Sequence, residues 1–178
     1  VGDLALYPDG NGYELKLALS RRYGVDMSSL VLGNGSNDVL ELVSLAFLGQ
    51  GKSAVHSQHA FVVYGLATQA RGARAIQVPA SAYGHDLPAM AKAIEPGTFI
   101  PSPGIEAFLK QVPEHVLVVL DEAYNEYLPP DARADTARWV KRHPNLVVTR
   151  TFSKAYGLAG LRIGYAVAHP SVADIMNR

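Results

Sequence analysis

Residues 116–120 read Val-Leu-Val-Val-Leu without interruption and run straight into Asp121-Glu122. Five consecutive aliphatic residues leave no face for water, so the segment reads as a strand covered on both sides. Such a strand belongs to a sheet held between helices, which restricts the chain to α/β architectures. The remaining sequence alternates to match. Short apolar runs predict strands at 30–32, 53–57, 73–78, 146–148 and 163–168. Periodic apolar segments predict helices at 13–23, 39–48, 61–70, 86–94, 103–111 and 136–142, and a last helix from Pro170 to the end. Gly24 stops the first helix and Asp86 caps the fourth. The expected fold is a three-layer α/β/α domain with a mostly parallel central sheet.

Composition removes several classes of function. The 178 residues carry 16 basic and 16 acidic side chains, a net charge of zero. That gives no footprint for nucleic acid or for an anionic membrane. The chain has no cysteine, so disulfides and thiolate metal sites are excluded. No apolar run approaches a membrane span, and Val1-Gly2-Asp3 shows no basic region followed by an apolar core, so no signal peptide is expected. A cytoplasmic α/β protein is expected. His56 and His59 stand at no recognisable metal spacing with a carboxylate and are read as hydrogen-bonding residues.

The chemistry concentrates where strands end, the place at which open α/β sheets hold their ligands. Gly33-Asn34-Gly35-Ser36-Asn37-Asp38 leads into a helix, and backbone N–H groups at such a start converge on an anion. A plain capped helix is the alternative for that segment. The run Asn145 to Arg162, NLVVTRTFSKAYGLAGLR, turns hydroxyl-rich after its apolar start, with Thr149, Thr151 and Ser153 ahead of Lys154. A lysine there is partly desolvated, which frees its amine to act as a nucleophile. The hydroxyls of Thr151 and Ser153 and the planar fork of Arg162 suit a phosphate. An ordinary surface turn is the alternative.

The segment Ser153-Lys154 followed by Tyr156-Gly-Leu-Ala-Gly-Leu-Arg162 resembles the cofactor-lysine segment of fold type I aminotransferases, which use pyridoxal 5'-phosphate (PLP). Within them the chain is most similar to histidinol-phosphate aminotransferases. The resemblance implies that Lys154 carries the PLP Schiff base, and that Ser36, Asn37, Ser153 and Arg162 hold the PLP phosphate, with Gly35 and Thr151 in the same cradle. It places Phe61 as the aromatic stacked on the ring; core packing is the alternative. Asp121 can pair with a protonated pyridine nitrogen, as PLP chemistry needs, and Tyr124 can donate to the ring oxygen. Tyr7 matches a tyrosine that reaches the phosphate of the neighbouring subunit, which implies a homodimer.

The resemblance also implies the substrates: histidinol phosphate or imidazole acetol phosphate, with glutamate or 2-oxoglutarate. An aromatic amino acid aminotransferase, a threonine-phosphate decarboxylase and a non-catalytic ligand-sensing domain are the alternatives. Residues 1–178 would be the large PLP-binding domain, without the family's N-terminal arm and small C-terminal domain. One beat of the alternation is missing. Between the helices expected at 86–94 and 103–111 there is no apolar strand of useful length. The family has there a strand and an asparagine beside the ring oxygen, so a gap is expected between Pro96 and Gly97.

Overall fold

A computed structural model describes residues 7, 9–82, 84–94, 98–99 and 105–178. The described strands are β1 (Leu30–Asn34), β2 (Ser53–Ser57), β3 (Arg74–Val78), β4 (Thr98–Phe99), β5 (Val118–Asp121), β6 (Leu146–Thr151) and β7 (Ile163–Ala168). The described helices are α1 (Tyr13–Tyr23), α2 (Ser36–Phe47), α3 (Val62–Ala70), α4 (Leu87–Lys92), α5 (Ile105–Leu109), α6 (Thr136–Trp139) and α7 (Pro170–Met176).

Period-two alternation divides each central strand between two cores. On one face Val118, Leu120, Leu146, Val148, Tyr165 and Val167 meet Leu19 and Tyr23 of α1, Met90 of α4, Phe108 and Leu109 of α5, and Ala137 of α6. On the other, Val119, Val147, Ala166 and Ala168 meet Val39, Leu40 and Val43 of α2 and Ala173 and Met176 of α7. The three-layer expectation holds.

The described sheet is mostly parallel, as expected, with one strand reversed. It is mixed, and among the described residues it forms two ladders, β1-β7-β6-β5 and β3-β2-β4. The pairs β5/β6, β2/β3 and β2/β4 are parallel, while β7 is antiparallel to both β1 and β6. The physical reason lies in the connections. Parallel neighbours need a crossover, and α3 and α6 supply it. Between β6 and β7 the chain makes only a loop and one short 3-10 turn, Ala159–Leu161, so it returns antiparallel. Beyond the fourth helix, a two-residue β4 pairs Thr98 with Ser53 and Phe99 with Ala54. The expected gap at Pro96 and Gly97 lies outside the described residues.

Three boundaries move for local reasons. Helix α2 begins at Ser36 rather than Val39, because its first turn is polar and invisible to apolar periodicity. Gly35, at φ 86, turns the chain directly into it. Helix α6 ends at Trp139, not at 142. The N–H groups of Arg142 and His143 both turn back to the Trp139 carbonyl, at 3.0 and 2.9 Å. Pro144 also disfavours helical backbone in the residue before it. Phe61 lies outside α3, as its extended N-terminal neighbour.

Leu146 is fully buried at the start of β6. Leu146→Ala is expected to cost about 2–5 kcal/mol, read from urea unfolding. Leu45→Ala, on the exposed side of α2, should stay within about 0.5 kcal/mol.

Candidate active site

The carboxyl ends of β1, β5 and β6 and the starts of α2 and α3 open on one cleft of about 740 Å³. Nine residues singled out in the sequence line it: Ser36, Asn37, Phe61, Asp121, Tyr124, Thr151, Ser153, Lys154 and Arg162. Gly35 stands directly behind. A Cβ built on it would run into the Arg162 guanidinium, so the close approach of that fork to the helix start requires glycine. Tyr7 is fully exposed and does not line the cleft of its own chain.

One end of the cleft is an anion cradle. Ser36 and Asn37 occupy the first turn of α2, a helix of 12 residues, whose free N–H groups and dipole favour negative charge. Arg162 enters from the other side in the left-handed region, φ 53. Its Nη1 donates to the Ala159 carbonyl at 3.1 Å and to Ser153 Oγ at 3.5 Å, and its Nη2 to the Asn34 carbonyl at 3.2 Å. A guanidinium has five N–H donors, so these bonds aim the fork without exhausting it. Thr151 Oγ1 accepts the Ser153 N–H at 3.1 Å and holds the turn that presents that serine. Asp38 also lines the cleft, and its carboxylate accepts the Asn34 N–H at 2.9 Å.

The other end holds one acid and one amine. Asp121 Oδ1 accepts from Thr149 Oγ1 at 3.0 Å and from the Ala123 N–H at 3.2 Å; Oδ2 accepts from the Tyr64 hydroxyl at 2.7 Å. Three donors fix both oxygens in place. Lys154 Nζ sits 5.4 Å from the centroid of the Tyr124 ring, a cation–π contact. Phe61 meets the Tyr64 ring edge to face at 6.1 Å. His59 and His85 complete the wall, and burial holds the His85 imidazole below its ordinary value.

Tyr64 and Thr149 were not among the site residues picked out from the sequence. The signal was present: Tyr64 lies three residues beyond Phe61 at the start of a helix, and Thr149 two before Thr151 on a strand. Each spacing returns a side chain to the same face. What sequence does not show is that they converge on one carboxylate. No cluster suited to a metal ion occurs among the described residues, and no helix among them is long and apolar enough to cross a membrane.

Burial, then the Asp121 charge, raises the Tyr64 phenol above its ordinary 10.0. Burial raises Tyr165 in the same sense. A raised pKa in the folded state contributes stability that is complete below pH 10.0 and is lost as pH rises beyond it. Unfolding free energy is therefore expected to fall above that pH. Tyr64→Phe should make the fall shallower in urea titrations on either side of it.

Comparison with known proteins identifies the family. The family described as aminotransferase class I and II matches residues 1–178. The chain is 55% identical to histidinol-phosphate aminotransferase 2 of Nitrosospira multiformis, over all of this chain and 49% of that protein. It is 56% identical to histidinol-phosphate aminotransferase 1 of Thiobacillus denitrificans, over 99% of this chain and 50% of that one. The chain thus spans about half the length of these curated relatives. Among solved structures, the histidinol-phosphate aminotransferase of Sinorhizobium meliloti, in complex with pyridoxal-5'-phosphate, superposes with a TM-score of 0.89 at 31% identity. That match covers 98% of this chain and 51% of the other. With the family matched from end to end over a cleft of this chemistry, the chain belongs to the class I and II aminotransferases.

Proposed function

We propose that residues 1–178 form the large PLP-binding domain of a histidinol-phosphate:2-oxoglutarate aminotransferase. One observation carries this: a single cleft joins a phosphate-type cradle, a carboxyl group fixed by three donors, and one lysine. PLP fits that set. The cradle has a helix start, hydroxyls and an arginine for a phosphate, and the Gly35 position leaves no room for a Cβ beside Arg162. When bound, PLP supplies an electron sink. Ser36, Asn37, Thr151, Ser153 and Arg162 would hold its phosphate, and Asp121 its ring nitrogen as the charged partner. Phe61 would cover a ring face and Tyr124 attend the ring oxygen. Lys154 would hold the cofactor covalently, and its Nζ, once released, would take up and return the substrate proton.

The substrate pair is supported by relatives that are histidinol-phosphate aminotransferases at 52–56% identity. A missing internal segment is supported by alignment length. The Nitrosospira comparison runs over 192 positions against 178 residues here, 14 more than the chain fills (192 − 178). In this reading Tyr124 attends the ring oxygen without the family's asparagine. The dimer is supported by Tyr7, which is 102% exposed in its own chain. A tyrosine ring left wholly in water gains from a partner surface, and a two-fold contact is the commonest one.

In the protein carrying this chain, borohydride should fix PLP to Lys154, and Lys154→Ala should abolish that attachment. Attachment that survives the substitution would refute the lysine's role. Turnover of histidinol phosphate should exceed that of phenylalanine and tyrosine, and the reverse preference would remove the substrate assignment.

Tyr7→Phe should weaken PLP binding without changing the unfolding midpoint. Hybrids of Tyr7→Phe with Lys154→Ala subunits should recover activity above either parent, because one site of each hybrid keeps both residues. A fully active monomer would overturn the shared site.

A further inference from the structure

One residue beyond the acid of the cleft, the chain builds a second polar pair that the cleft does not touch. Alternation sends Glu122 and Arg150 to the opposite face, beneath α1 and α6. There Arg150 Nε and Nη2 both donate to Glu122 Oε2, at 2.9 and 2.6 Å. Thr136, the first residue of α6, donates to Glu122 Oε1 at 2.8 Å. Arg150 Nη1 donates to the Tyr23 hydroxyl at 3.2 Å, and the Tyr23 and Tyr165 hydroxyls lie 2.6 Å apart. The two charged side chains are 8% and 10% exposed. Ring contacts lead onward from Tyr165 to Phe152 at 5.6 Å and from Phe152 to Tyr156 at 5.2 Å, on either side of Lys154.

Stability alone does not account for this pair, since an apolar pair of similar volume is often as good or better in a buried site. Register does. A slip of two residues between β5 and β6 would keep every aliphatic side chain on its own face, so the apolar pattern specifies register poorly. It would also displace Asp121 by about 6.6 Å along β6. The matched pairs, Asp121 opposite Thr149 and then Glu122 with Arg150, forbid it.

We propose that Glu122 and Arg150 are positioning residues for the cleft: they lock the β5–β6 register and, through Tyr165 and Phe152, the base of the Lys154 loop. The acid and the amine are thereby kept at one separation. The readout of this inference in cofactor binding rests on the PLP reading.

The test is the double variant Glu122→Leu with Arg150→Met, which replaces the pair by apolar groups, in the protein carrying this chain. Expected is a fold with an unfolding midpoint at or above the original, PLP held about tenfold or more less tightly, and a shifted pH midpoint of the bound cofactor's visible absorbance. A folded double variant with unchanged affinity and pH midpoint overturns the proposal. If the double variant does not fold, Thr136→Val decides: a shifted pH midpoint supports the proposal and an unchanged one overturns it. If the unsubstituted protein retains no PLP, it is the cofactor reading that fails. The pair is then judged by amide exchange of residues 152–157 in ligand-free protein, where faster exchange in the variant supports it and unchanged exchange overturns it.

Discussion

The parallel pairing of β5 with β6 is the constraint on which the rest of the molecule depends. Leu120 stands opposite Val148 and Asp121 opposite Thr149, and the Glu122 N–H reaches the Thr149 carbonyl at 2.9 Å. This one ladder sets both cores, because each strand contributes alternate side chains to each face. It also sets the cleft, since the acid ends one strand and the lysine loop leaves the other. The polar residues at the strand ends give the ladder its register, which aliphatic side chains alone leave loosely specified.

The cradle at α2 shows backbone strain retained where a side chain must be aimed. A non-glycine residue in the left-handed region costs about 1–3 kcal/mol. Arg162 adopts it, and three hydrogen bonds to Ala159, Ser153 and Asn34 hold it there. Opposite it, Gly35 takes φ 86 and leaves the space that the guanidinium fills. A strained arginine and a backbone turn that suits glycine meet at the point where the chain presents its N–H donors. They make sense as a binding surface and have no evident value for folding.

Much of the cleft was legible residue by residue. Lys154, Asp121 and Arg162 announce themselves as charges at the ends of apolar strands. Ser36 and Asn37 follow glycines at a helix start. Tyr64 was hidden because, in sequence, it is one more apolar residue of α3; its hydroxyl acquires meaning only 57 positions later, on Asp121. The glutamate after Asp121 was hidden for a similar reason. Its partner Arg150 lies inside a strand, where a charged side chain reads as exposed, yet it is 7% exposed. Burial raises the Glu122 carboxyl while Arg150 opposes it, and the short contact keeps the pair charged.

Sequence by itself determined the layered α/β class, the strand cores, most helix spans and the chemical kinds present in the cleft. These follow from local periodicity and from residue type, which each short window carries in full. Tertiary structure alone decided the antiparallel placement of β7, the division of the described strands into two ladders, and the convergence of three donors on Asp121. It also decided the burial of an ion pair on the far face. Each of these depends on contacts between segments far apart in the chain, and their geometry is set only when the packed layers fix which strand lies beside which.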